Sequence, residues 1–362
     1  MEGGCEGNSA SPEPKRSPAA LLVQSKGQQK SFLFLLEEKI GRAQNKKLIR
    51  KLFCGTASEA SGGGAERQNS QSGFSSKMFG FRPTNTIMSK NRQKFIGVFD
   101  SGFGGIDILR GIIKELPMYN YLYLGDTARA PYGARSEEII YEFTKQAVDF
   151  LFTNNCQFII FACNTVSSNT LRKIQQEYLP KYYPQKRVLG VLVPLAEEAI
   201  NKTKNQKIGV IATERTVQSK AFIKELKKAN PKVKVFQNSC PLLVPIVEAG
   251  EQNSKAIKII LKNYLKPLRK NNIDTLILGC THYGILENQI KKIIGLKITT
   301  ISGSRAVPKK LKDYLKRHPE IEQKLSKNSV IKFYTTDLTK KFELLGSKFF
   351  GHKIKAEKIF LN

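Results

Sequence analysis

One local pattern occurs twice in this chain and limits what it can fold into. Phe158 to Ala162 (F-I-I-F-A) is an uninterrupted apolar run with β-branched and aromatic residues, the mark of a strand buried on both faces. Asn164 to Asn169 then supplies the small polar residues that open a helix, and Cys163 stands between the two. The pattern returns at Thr275 to Gly279 (T-L-I-L-G), followed by Cys280, Thr281, His282 and Tyr283 and a helical pattern from Ile285 onward. Strands buried on both faces belong to parallel sheets covered by helices, and in such sheets ligands bind beyond the carboxyl ends of the strands. Two thiols in the same setting indicate one paired site.

The rest of the chain supports that architecture. Lys94 to Phe99 reads as a first core strand, and Asp100-Ser101-Gly102-Phe103-Gly104-Gly105 leads from it into a helix from about Ile106 to Leu116. The turn lacks the third glycine of G-x-G-x-x-G and the Lys of a P-loop, so it is no nucleotide fingerprint. Asp100 is read either as a ligand group over the strand ends or as a cap for the helix. Tyr121 to Leu124 is a second strand, and the polar loop Gly125 to Gly133 follows it. A helix capped by Ser136 runs to about Thr153. Further strands are expected at Val188 to Val193, Lys207 to Ile211 and Val233 to Phe236. Strands alternating with helices of this length mean α/β with largely parallel sheets.

Charge and cysteine usage narrow the function classes. A formal net charge of +30 would suit nucleic acid or acidic lipid. The excess is mostly Lys scattered over helix faces without interleaved aromatics, which reads as a solvated surface, so neither a nucleic acid nor a membrane is expected as a partner. The six cysteines contain no CxxC pair and only three His are present, so no metal site is expected. No apolar run is long enough to span a bilayer, and the thiols are expected to stay reduced in a cytoplasm. Residues 1–93, rich in Gly, Ser, Gln, Asn and Lys, read as a disordered basic extension. A start at Met88 is an alternative, and Glu2, Glu6 and Glu13 argue against a transit peptide.

Cys156 and Cys240 read as small buried hydrophobes. Cys163 and Cys280 each end a strand and open a helix, a position expected to stabilise a thiolate and lower the thiol from about 8.5 toward neutrality. One thiol beside His282 would suggest nucleophilic acyl transfer. Two thiols facing one carbon from opposite sides suit a stereochemical inversion, one removing a proton as thiolate and the other returning one as thiol, with no cofactor.

The segments I-G-V-F-D-S-G-F-G-G, L-Y-L-G-D-T-A-R-A-P-Y-G, F-A-C-N-T, C-P-L-L-V-P-I-V-E-A-G and L-I-L-G-C-T-H-Y resemble the glutamate racemases of the aspartate/glutamate racemase superfamily, from Lys94 to Asn362. The resemblance implies cofactor-independent interconversion of L- and D-glutamate, the D form serving peptidoglycan synthesis. It also implies two pseudo-symmetric α/β domains with the active site between them, 94–190 with 299–362 and 191–298. Cys163 and Cys280 are then the acid/base pair. Asp100 and Ser101 are expected near the substrate amino group, Tyr132 and Gly133 near the distal carboxylate, and Asn164, Thr165, Thr281 and His282 around the rest. A homodimer is compatible with this reading. The chain departs from the family at Val193, in place of an acid, and at Ile301, in place of an Asp. Aspartate racemase or a related two-Cys isomerase is the alternative within the enzyme class, and a nucleic-acid-binding protein the alternative outside it.

Overall fold

The computed structural model describes residues 93–361. The extension expected over residues 1–93 lies outside the described residues except for Gln93. The first half builds a β-α alternation: β1 (Phe95–Asp100), α1 (Ile106–Glu115), β2 (Tyr121–Gly125), α2 (Glu137–Thr153), β3 (Cys156–Phe161), α3 (Asn164–Asn169) and β4 (Arg187–Gly190). All residues of β1 and β2 are buried, as continuous apolar strands must be when helices cover both faces. The helix α2 shows how the cover is made. Ile140, Thr144, Ala147, Val148, Leu151 and Phe152 are its buried residues, spaced by one helical turn, and the Ser136 hydroxyl caps its start by accepting from Ile139 N–H.

The chain then enters a second unit of the same kind: α4 (Leu192–Lys202), β5 (Lys207–Ala212), α5 (Glu214–Gln218), α6 (Ala221–Ala229), β6 (Lys234–Ser239), α7 (Leu243–Glu248), α8 (Lys255–Lys270), β7 (Thr275–Gly279), α9 (Glu287–Ile294) and β8 (Thr299–Ile301). It returns through α10 (Gly303–Arg317) to β9 (Ile331–Thr335), α11 (Lys340–Phe350) and β10 (Glu357–Lys358). Two parallel sheets result, ordered β10-β9-β2-β1-β3-β4 and β6-β5-β7-β8. The pairing of β8 with β7 carries the second sheet slightly past the boundary expected at 299. At Gly111 a Cβ would collide with the Ser304 carbonyl, so glycine there lets α10 lie close against α1 where the chain crosses back.

One expected element is corrected. Val188 to Val193 is not a single strand: β4 ends at Gly190 and Leu192 already begins α4. Pro194 is tolerated in that first turn because the N–H it lacks would have had no partner within the helix. The departure at Val193 therefore lies on a helix and is partly exposed.

Candidate active site

The carboxyl ends of β1 and β3 deliver one half of the site. Ala162 N–H still pairs with the Phe99 carbonyl, and Cys163 then turns into α3, where its carbonyl accepts from Ser167 N–H. On the neighbouring strand Asp100 is fully buried and its Oδ1 accepts from Gly102 N–H at 3.0 Å. Buried Tyr123 fixes the same turn by donating to the Gly102 carbonyl. A Cβ at Gly105 would lie 2.7 Å from the Asp100 Cβ and 3.0 Å from the Ala162 Cβ, so the glycine lets the turn fold down onto both strand ends. Ser101 Oγ is thereby placed 3.4 Å from Cys163 Sγ.

The second half comes from β7. Cys280 follows the strand and opens a 3-10 turn, Thr281–Leu286, rather than an α-helix, which starts only at Glu287. Tyr283 anchors this turn by donating from its hydroxyl to the Cys240 carbonyl. His282 is buried with Nδ1 3.9 Å from Cys280 Sγ. Its Nε2 lies 3.2 Å from Glu248 Oε1 at the end of α7, an ion-pair separation without hydrogen-bond alignment. The Phe103 ring packs edge-on against the imidazole, with centroids 5.2 Å apart.

The two halves meet. A Cβ on Gly104 would lie 2.5 Å from Thr281 Oγ1 and 2.8 Å from His282 Nδ1, so the glycine turn of the first sheet rests on the Thr281-His282 corner of the second. Thr165, two residues after Cys163, shares a 3.0 Å hydroxyl contact with Thr213 after β5. A Cβ on Gly133 would lie 3.0 Å from the Thr213 Cβ. Every one of these strand ends is a carboxyl end, so the two sheets turn their carboxyl edges toward each other.

Burial governs the electrostatics. Loss of solvation pushes the Cys163 thiol up to about 12, the Asp100 carboxylate adds to the rise, and the Ser101 hydroxyl and Val166 N–H oppose it. The thiolate expected at this helix start is therefore corrected to a thiol: dehydration outweighs the field of a short helix. Asp100 is itself raised by burial, with the His282 charge acting against that rise. For His282 burial alone would lower the value, but its Cys280 and Glu248 partners overcome it and hold it at about 10. It is an imidazolium at neutral pH. Glu248 is likewise disfavoured by burial and nonetheless lowered, by the His282 cation and more weakly by Lys341.

The structure gathers Cys163, Cys280, Asp100, Ser101, Gly133, Thr165, Thr281 and His282 at this junction, with Asn164 buried beside Cys163. Tyr132 is different. Its ring packs against Phe143 in the core and its hydroxyl is committed to buried Asp126, which also accepts from Arg129 Nε and Thr336 Oγ1. A phenol so engaged leaves the main chain of 132–133 as its means of meeting a ligand. Sequence reasoning did not single out Thr213, Thr216 or Glu248. The threonines hydrogen-bond to each other at 3.0 Å after β5, which lies beside β7 as β1 lies beside β3. The only signal for Glu248 is an acid closing the apolar helix L-V-P-I-V-E. Cys156 and Cys240 are buried free thiols; Cys240 touches the site through its carbonyl, which holds Tyr283, and not through a hydrogen bond of its sulfur to a site residue. Among the described residues no group of three or more His, Cys, Asp or Glu is arranged to hold a metal.

The sequence matches the family described as Asp/Glu/Hydantoin racemase over residues 96–308. It is 35% identical to a glutamate racemase of Geobacter metallireducens over 262 residues, covering 72% of this chain and 94% of the relative. It is 38% identical to one from Oceanobacillus iheyensis over 249 residues, covering 67% and 87%. Among solved structures it is similar to a glutamate racemase isoform of Bacillus anthracis, with TM-score 0.69, 36% identity and coverage of 75% of this chain and 99% of that one. It is similar also to the Francisella tularensis glutamate racemase in complex with D-glutamate, with TM-score 0.67, 33% identity and coverage of 75% and 98%.

Proposed function

Because the chain belongs to the Asp/Glu/hydantoin racemase family, we propose that it interconverts L- and D-glutamate, with Cys163 and Cys280 exchanging the α-proton. The observation that carries this reading is that two thiols at matching strand ends meet at one junction, Cys163 beside the Ser101 hydroxyl at 3.4 Å and Cys280 beside His282 at 3.9 Å. Cys163, held up to about 12, is a proton donor in the resting protein. Cys280 has the His282 imidazolium 3.9 Å from its sulfur, a counter-charge for a thiolate. The Cys280 thiolate takes the proton from one face of Cα, the electron pair stays on the carbon, and the Cys163 thiol returns a proton to the opposite face. The reverse direction begins with the roles exchanged.

Two buried acceptors, Asp100 Oδ2 and Asn164 Oδ1, have no protein donor among the described residues. A substrate ammonium would supply the donors they lack. The hydroxyls of Thr165, Thr213 and Thr281 suit a carboxylate, while Ser101 stays with Asp100 on the side of the amino group. We assign the main chain at Tyr132-Gly133, which meets Thr213, to the distal carboxylate of glutamate. The D-glutamate formed is the enantiomer used in peptidoglycan. The two sheets, divided near 190 and after 301, are the two domains of this reading. Incubating the protein with L-glutamate in deuterated water tests it: the product should be D-glutamate carrying deuterium at Cα, with no added pyridoxal phosphate and no effect of a chelator. Turnover abolished by exhaustive removal of pyridoxal phosphate or metal would count decisively against it.

A further inference from the structure

The outer surface of the second sheet carries a charge pattern that racemisation does not use. From Gln252 to Ile273 the chain has no Asp or Glu, and neither has it from Asn288 to Lys312. Within the first of these segments Lys255, Lys258, Lys262, Lys266, Arg269 and Lys270 lie on α8. At about 100° per residue all six fall within roughly 120° of one another, a stripe roughly 22 Å long. The opposite face of α8, with Ile257, Ile260, Leu261, Leu265 and Leu268, is buried. Lys262, Lys266, Arg269, Lys270, Lys292 and Ile293 line one concavity between α8 and α9. Arg269 Nη1 donates to the Ile293 carbonyl and ties the two helix ends together. Among the described residues no carboxylate pairs with Lys262, Lys266, Lys270 or Lys292.

A second observation says what the stripe faces. Leu296, in the turn after α9 and between Lys292 and Lys297, is 85% exposed, and Ile259 within the basic arc of α8 is 40% exposed. An apolar residue projecting among lysines matches a surface of anionic headgroups over hydrocarbon. Nucleic acid would be served by stacking groups, but the stripe has one Arg and no exposed aromatic: Tyr264 is half-buried, with its hydroxyl accepting from Leu242 N–H. Position in the fold keeps this surface clear of the catalytic space. Both α8 and α9 run antiparallel to the strands they precede, so their last turns lie at the amino-terminal edge of β7 and β8, opposite Cys280.

We propose that the α8–α9 face is a peripheral docking surface for a membrane rich in anionic phospholipid. Absence of any helix able to cross a membrane among the described residues does not bear on such attachment. It departs from the sequence-based expectation of no membrane partner, because scattered Lys in the sequence become one stripe on the helix. The test is co-sedimentation of the full-length protein with phosphatidylcholine vesicles, with and without phosphatidylglycerol. Binding should require phosphatidylglycerol and fall with salt. At about fivefold per charge, replacing three lysines (Lys262→Glu, Lys266→Glu, Lys270→Glu) should weaken binding by at least about a hundredfold. Leu296→Asp alone should weaken it by about tenfold or more, since one apolar side chain no longer enters the interface. Racemisation by both variants should match the parent, showing that they fold. A parent that stays in the supernatant, or a triple variant that still sediments, overturns the proposal. So does duplex DNA at the same salt retaining the parent more strongly than the vesicles do.

Discussion

Replacing Glu248 by Gln keeps the shape beside His282 and removes the negative charge. The imidazole is held at about 10 against an ordinary 6.5. That difference favours the imidazolium by about 5 kcal/mol at 1.36 kcal/mol per pH unit. A unit charge 3.2 Å from Nε2 contributes roughly 5 kcal/mol at an effective dielectric of about 20. Glu248 shares the task with the Cys280 sulfur, and both act against the cost of burial. If about half the net effect is its own, Glu248→Gln brings His282 down to roughly 8. At pH about 9 the imidazolium fraction then falls from about nine-tenths to about one-tenth, and kcat/KM in the direction started by Cys280 falls about tenfold, with little change near pH 6. Stability moves in the same sense. A folded value raised above the unfolded one contributes stability that is complete below about 6.5 and disappears as pH rises toward about 10; in the variant it is exhausted near about 8. With only three His in the chain, a titration of histidine-labelled protein by NMR can follow His282 directly. A parent His282 titrating near its ordinary value, or one that does not move in the variant, would refute the reasoning.

Gly104→Ala places a methyl group 2.5 Å from Thr281 Oγ1 and 2.8 Å from His282 Nδ1. It should cost about 1–3 kcal/mol of stability by overpacking, and steady-state kinetics should show a loss in kcat/KM; parental kinetics would show the corner has room. Deleting residues 1–90 should leave thermal stability and racemisation intact, because the family match and every site residue lie beyond that point. A large drop in melting temperature or turnover would show that the segment packs on the enzyme.

Much of this arrangement was legible in the sequence because it is local. An apolar run ending in Cys fixes both thiols at strand ends, and the glycine turn after β1 announces a close approach. The segment 188–193 misled because three β-branched or aliphatic residues before a proline fit a strand as well as a first helical turn. The state of Cys163 was misread for a different reason. The helix start is a local feature, but the dehydration that outweighs it arises only when two sheets separated in sequence close over the sulfur. Glu248 was missed in the same way, since its partner His282 is brought to it by the meeting of α7 with the turn after β7. Tyr132 belongs here too: its place in the family motif says nothing of Asp126 taking up its hydroxyl.

The central claim is that two thiols act as one unit, and single and double substitution of the pair tests it most directly. Cys163→Ala or Cys280→Ala removes the base for one face or the acid for the other, so kcat/KM should fall by at least the 10² to 10⁴ of a positioned general acid or base in both directions, roughly to the same level. The double variant should be scarcely worse than either single one. Cys156→Ala and Cys240→Ala, which remove buried thiols and keep the Cys240 carbonyl that holds Tyr283, should lower the melting temperature and leave turnover near the parent. Either active-site single variant retaining more than about a tenth of parental activity both ways would contradict the two-thiol mechanism.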